Sequence, residues 1–301
     1  MTSASTSPIF VLGNPRSGTT LLRLMLTCHP RITIPPECGF AVWLRPRWGA
    51  WTQQKAADAG EVFRFVEDVL ASRKFETWHV TGPDLLDAIE RDAPGSYADL
   101  VRSVYGAYER HVGREATRWG DKNNWYIHHV ADIRAMFPEA VLVHLVRDGR
   151  DVACSYLEIA ERRIDSIYAP HLPRALEAIA QEWVENVSGL RAAFDAEGWR
   201  NVIELRYEDL VADPIATLTA AMRKLGEDFH PDMLDYAARN VREELEPREF
   251  LQWKARTVSA PDPSLVGRYE RDLDAAQIEI LTSRMRSLLD QYGYTVGSWR
   301  G

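Results

Sequence analysis

Pro8-Ile-Phe-Val-Leu12 is a short apolar run that passes directly into Gly13-Asn-Pro-Arg-Ser-Gly-Thr-Thr20, after which apolar residues resume at helical spacing with Leu21, Leu22, Met25 and Leu26. A continuous apolar run of this length predicts a buried strand, and the periodic segment predicts a helix. His29-Pro30 ends that helix, because proline disfavours a helical residue before it. Gly13 and Gly18 have the spacing of a phosphate-binding loop placed between strand and helix. The backbone N–H groups of such a loop, with the positive end of the following helix, form a cavity suited to a tetrahedral anion. The plainer alternative is a strand-to-helix turn that uses glycine only for backbone freedom. Against it, Arg16, Ser17, Thr19 and Thr20 place four side-chain donors for phosphate oxygens in the same turn.

The pattern repeats downstream. Ala140 to Val146 reads as a second strand buried on both faces, followed by the polar turn Arg147 to Asp151 and a helix beginning near Asp151. Ala175 to Glu197 is an amphipathic helix stopped by Gly198, and Asn201 to Tyr207 reads as a third parallel strand. Strands alternating with helices predict an α/β fold: a single P-loop-like domain over 8–301, its parallel sheet flanked by helices on both faces and interrupted by helical insertions. Residues 1–7 are a Ser/Thr-rich tail, expected to be disordered. Residues 40–117 form a helical insertion with many aromatics, among them Trp43, Trp48, Trp51, Phe63, Phe65, Phe75 and Trp78. Most are expected in the core, with some available to line an acceptor pocket.

Thirty-six Lys+Arg against 44 Asp+Glu give a net charge of −8, which argues against a chain that coats nucleic acid or an anionic membrane. Cys28, Cys38 and Cys154 are too few and scattered for a disulfide framework and form no zinc-like pair, so a cytoplasmic setting is expected. No segment has the pattern of a signal peptide or a membrane span. Only five basic residues are lysine (Lys55, Lys74, Lys122, Lys224 and Lys254), the other 36 − 5 = 31 being arginine. A lysine inside a motif is therefore conspicuous.

The loop departs from that of a Mg-nucleotide triphosphatase: Thr19 and Thr20 stand where Lys and Ser/Thr are required, and Arg147 rather than aspartate follows the second strand. Pro15-Arg16-Ser17-Gly18-Thr19-Thr20 instead resembles the 5′-phosphosulfate loop of sulfotransferases that use 3′-phosphoadenosine 5′-phosphosulfate (PAPS). Val146 to Tyr156 resembles their 3′-phosphate motif, with Arg147 and, eight residues later, Ser155 as the phosphate-binding pair. The likeness extends to the branch that includes bacterial and tyrosylprotein sulfotransferases. It implies Glu37 as the catalytic base, Lys122 as a second cation beside Arg16 near the leaving group, and nucleotide contacts from Tyr207 and from Arg268 in Val266-Gly267-Arg268-Tyr269, within a cofactor-covering segment 240–270. A histidine base and the longer C-terminal signature of the cytosolic-type enzymes are absent.

The resemblance implies in-line transfer of a sulfuryl group from PAPS to a hydroxyl of a small-molecule acceptor, leaving 3′,5′-ADP, with no metal required. Each residue also has a structural reading. Glu37 could cap a helix starting at Cys38 or Gly39, Lys122 could pair with Asp121, and Tyr207 and Arg268 are ordinary choices after a strand and in a turn. His128-His129 lacks the carboxylates of a metal site. A non-catalytic nucleotide-binding module and a degenerate P-loop kinase are the competing functions. The acceptor's identity and the oligomeric state are not written in these motifs.

Overall fold

The structure is a computed structural model describing residues 7–114 and 117–294; of the expected tail, only Ser7 falls within them. Five parallel strands, β1 (Ile9–Leu12), β2 (Ile32–Thr33), β3 (Arg118–Lys122), β4 (Val141–Val146) and β5 (Val202–Arg206), form one sheet in the order β2-β3-β1-β4-β5. Phe10 is in register with Asp121 on one side and Leu142 on the other. β1 and β4 are buried along their whole length, as their unbroken apolar sequences require.

Side-chain alternation divides the core by face. Ile9, Val11, Val143 and Leu145 pack with helices Thr19–Thr27 and Pro214–Leu225. Phe10, Leu12 and Leu142 face an aromatic core that includes Phe40, Phe65, Trp78, Tyr105 and Trp119. A third cluster joins Val146 to helices Gly149–Ala160, Leu176–Ala196 and Ala275–Gln291. Helices thus cover both faces of the sheet.

Two strands differ from the sequence reading. β2 is only two residues long and carries no strand pattern of its own; it forms by pairing Ile32 and Thr33 with Arg118 and Trp119. β3 runs from Arg118 to Lys122 through a largely polar sequence, and every one of its residues is buried. Each of its charged side chains has a partner: Arg118 Nη1 donates to the Leu225 carbonyl at 2.8 Å, Tyr105 donates its hydroxyl to Asp121 Oδ2, and Lys122 pairs with Glu37. Gly120 is required where it stands, since a Cβ there would lie 2.7 Å from the Ile9 carbonyl oxygen.

Smaller shifts are local. The helix expected near Asp151 starts at Gly149, because the Asp148 side chain accepts from the Arg150 amide at 2.9 Å and caps it. Tyr207 opens the helix Tyr207–Ala212 instead of closing β5. In the aromatic segment Trp48, Trp51, Phe65, Phe75 and Trp78 are buried, whereas Trp43 and Phe63 are exposed. Because β1 lies between β3 and β4, the chain turns to opposite sides of it, and the loops after β1, β3, β4 and β5 meet at one end of the sheet.

Candidate active site

The loop after β1 is held tightly. Gly13 has the Leu145 carbonyl oxygen 2.5 Å from the position of a Cβ, and Gly18, at φ +94°, has Tyr207 Cδ2 at the same distance. Arg16 also takes a left-handed backbone conformation, φ +68°. Asn14 anchors the loop from below, donating to the Tyr156 hydroxyl at 3.1 Å and accepting from Asn186 Nδ2 at 2.7 Å. Helix Thr19–Thr27 has neither a side-chain cap nor an acidic residue in its first turn, so its leading N–H groups are available to an anion. Among the described residues Ser17 Oγ is buried without a hydrogen-bond partner, and Thr19 donates to Asn124 Oδ1 at 3.0 Å.

The second motif reaches the same place. Ser155, in the second turn of helix Gly149–Ala160, accepts from Arg16 Nε at 3.1 Å. Arg147 at the end of β4 donates to the Leu265 carbonyl at 2.8 Å and to the Arg16 carbonyl at 3.4 Å, with its guanidinium 4.3 Å from the Tyr207 ring centre. Its Nε is buried and has no partner among the described residues. Burial, followed by repulsion from Arg147 and Arg256, pulls the Arg16 pKa down to about 10. A cation destabilised in this way is an electrostatic invitation to an anion.

Glu37 is clamped between two lysines: Lys74 Nζ lies 2.5 Å from Oε1 and Lys122 Nζ 2.7 Å from Oε2. Burial alone would raise its pKa, but Lys122, then Lys74 and Lys254, overcome this and hold the carboxyl well below its usual range. Lys254 in turn pairs with Glu246 at 2.5 Å, and Glu246 with Arg23 at 2.6 Å, so the site is backed by a buried chain of alternating charges. Three of the chain's five lysines converge here. Lys74 and Lys254 lie in no motif, and the sequence reading does not single them out; their rarity as lysines is the one signal that could have found them.

These groups border one cavity of about 710 Å³, inside the usual range for ligand sites. Arg16, Gly18, Thr19, Thr20, Glu37 and Lys122 line it, as do Arg147, Ser155 and Tyr207. Ser17, although in the same loop, turns inward. Seven Lys/Arg residues (Arg16, Arg73, Lys74, Lys122, Arg147, Lys254, Arg256) and four acids (Glu37, Glu182, Glu185, Asp262) line the cavity, 7 − 4 = +3 in a chain of net charge −8. Among the described residues of the aromatic segment only Arg73 and Lys74 contribute; residues 168–172 and parts of 253–265 close other sides.

Arg268 does not line the cavity. It donates to Glu158 at 2.9 Å and to Asp272 at 2.6 Å, and these two acids neutralise it where it stands. Its turn is held by Asp151, which accepts from the Gly267 and Tyr269 amides at 2.8 and 3.1 Å. The cations that this end of the chain brings to the cavity are Lys254 and Arg256. His128 lines the cavity while His129 pairs with Asp132 at 2.9 Å, and among the described residues no group of three or more His, Cys, Asp or Glu is placed to hold a metal.

Comparison with known proteins gives the same direction. Nodulation protein NoeE of Sinorhizobium fredii is 25% identical over 297 residues, 95% of this chain and 65% of that protein. Protein-tyrosine sulfotransferase 2 of Gallus gallus is 24% identical over 230 residues, 76% of this chain and 53% of that protein. The chain therefore spans about half to two thirds of the length of these relatives. The sulfotransferase domain of the Synechococcus PCC 7002 olefin synthase superposes with a TM-score of 0.62 at 22% identity, covering 97% of this chain and 96% of that one, a likeness of fold. The profile of the sulfotransferase family matches residues 8–231, about three quarters of the sequence, and the chain belongs to that family.

Proposed function

We propose that this chain moves a sulfuryl group from PAPS to a hydroxyl of a small-molecule acceptor. The observation that carries the reading is the meeting of two anion-binding motifs in one cavity, where Arg16 of the first bonds Ser155 of the second and Arg147 bonds the backbone of Arg16. Such a cavity suits a ligand with two anionic ends. Arg147 lines the cavity, and its Nε, buried without a partner among the described residues, is the kind of group a phosphate would satisfy.

PAPS supplies an activated sulfuryl group, and its transfer depends mainly on positioning and charge stabilisation. In this reading the loop amides with Thr19 and Thr20 hold the 5′-phosphate, and Arg147 with Ser155 holds the 3′-phosphate. Tyr207 fixes both, packing against Gly18 and under the Arg147 guanidinium. Arg16 and Lys122 neutralise charge on the leaving group. Glu37 accepts the acceptor's proton at a carboxylate oxygen. While both lysines remain on it, Glu37 is a weak base; turning Lys122 toward the leaving group removes the strongest attraction depressing its pKa.

A cytoplasmic setting goes with this reading, supported by three free, buried cysteines. Among the described residues no helix is long and apolar enough to cross a membrane. The decisive experiment compares thermal protection by 3′,5′-ADP, ADP and Mg-ATP, followed by transfer of labelled sulfate from PAPS to a panel of phenols and alcohols. Protection by 3′,5′-ADP with transfer supports the enzyme. Protection without transfer to any acceptor supports a binding module, and preference for Mg-ATP sinks the proposal.

A further inference from the structure

A second groove of about 860 Å³ lies between the segment Val42–Ala50, residues 96–98 and helix Val130–Met136. Trp125 lines both this groove and the reaction cavity, so one indole forms their common wall. The groove differs from the cavity in charge. Its lining holds one cation and one acid, Arg45 and Asp132, which pair with each other, and His129 bonds the same acid. Trp43 and Trp125 are 36% and 40% exposed despite their size, with ring centres 5.9 Å apart. Exposed tryptophans beside a neutral groove favour an apolar occupant over water.

Both tryptophans hang from segments that carry the proposed chemistry. Trp43 packs on Gly39, two residues after Glu37, so closely that a Cβ on Gly39 would lie 2.3 Å from its ring. Trp125 follows Lys122 by three residues and Asn124, the partner of Thr19, by one. Three residues of backbone span at most about 11 Å, which keeps Trp125 close to the strand end that carries Lys122.

We propose that this groove binds the apolar body of the acceptor, making the preferred substrate an amphipathic compound with its hydroxyl at Glu37 and an alkyl chain or fused rings along Trp125 and Trp43. This deepens the sulfotransferase reading and rests on it. The test is turnover of para-alkylphenols from phenol to 4-octylphenol at saturating PAPS. In the unaltered protein kcat/KM rises with chain length, by up to about fourfold per buried methylene. Ala135→Trp fills the groove from an exposed helical position. It flattens the rise while leaving phenol turnover and 3′,5′-ADP affinity within about twofold, the usual latitude of a surface change. Trp43→Ala lowers the slope in the same way. An equal slope in all three proteins, or none in the unaltered one, overturns the proposal.

Calorimetric titration with 4-octylphenol separates this result from failure of the sulfotransferase reading. Binding lost in Ala135→Trp without transfer to any phenol keeps the groove and removes the reaction; binding undiminished in Ala135→Trp removes the groove. Self-association that Ala135→Trp abolishes would assign the groove to a second copy of the chain, and likewise overturn the proposal.

Discussion

Replacing Glu37 with glutamine keeps the shape of the side chain and removes the charge that holds Lys74 and Lys122 at 2.5 and 2.7 Å. The lysine side chains are only 16% and 2% exposed, so neither recovers full hydration when the carboxylate is lost. Removing one member of a buried ion pair costs about 3–5 kcal/mol; with Glu37 18% exposed and glutamine still able to accept a hydrogen bond, the lower end of that range, ~3 kcal/mol, is expected. The electrostatic effect on the nucleotide runs the other way. With one acid gone the cavity lining changes from +3 to +4, so 3′,5′-ADP binds as tightly as before or more tightly, most visibly at low salt. General-base catalysis contributes about 10²–10⁴-fold, and the depressed pKa of Glu37 places this residue near the lower limit, a loss of ~10² in kcat. Glu37→Gln is therefore assayed three ways, by urea unfolding, calorimetric titration with 3′,5′-ADP and initial rates with labelled PAPS. Lower stability, undiminished nucleotide affinity and a hundredfold slower reaction are expected together. A kcat within threefold of the unaltered enzyme would refute the assignment of base and leave Glu37 as a counter-ion for its lysines.

Arg147→Ala removes a guanidinium whose Nε is buried and unsatisfied; loss of charge-assisted bonds of about 1.5–3 kcal/mol should weaken 3′,5′-ADP roughly 10- to 100-fold with little effect on 5′-AMP, and equal losses for both would place Arg147 elsewhere. Gly18→Ala puts a methyl 2.5 Å from Tyr207 Cδ2 at φ +94°, combining a clash with roughly 1–2 kcal/mol of backbone strain. Melting curves should show a destabilised protein partly rescued by adding Tyr207→Ala, and strict additivity would show that the two positions do not meet. Glu158 has its pKa lowered to about 2: burial raises it, but hydrogen bonds from Arg268 and Arg256 outweigh burial. Between pH 2 and its ordinary value of 4.5 the unfolded chain holds the extra proton, so this contribution is present above pH 4.5 and lost as pH falls towards 2. Glu158→Gln should remove ~1–3 kcal/mol at neutral pH, after discounting its partial exposure, and flatten acid unfolding in that window; an unchanged acid limb would contradict the ion-pair account.

The parts of this protein determined by sequence alone are those whose geometry is local. Strand β1, its loop and the following helix are contiguous, so glycine spacing, donor chemistry and apolar period specify them without help from elsewhere. The same holds for Arg147 and Ser155, placed at a strand end and on the next helix. Tertiary structure decided what distant segments bring together. β3 is readable as a strand only once Tyr105, Glu37 and Leu225 supply partners for its charges. Lys74 and Lys254 become site residues because a turn and a helix far apart in sequence deliver them to Glu37, and their joint field with Lys122 makes that carboxylate a clamped anion. Arg268 had the right residue type and spacing, but Glu158 and Asp272 lie closer and neutralise it outside the cavity. Backbone conformation and hydrogen-bond chemistry act over a few residues and leave their mark in local sequence. Charge pairing and packing act through space, and which partners they join is settled only when the chain is folded.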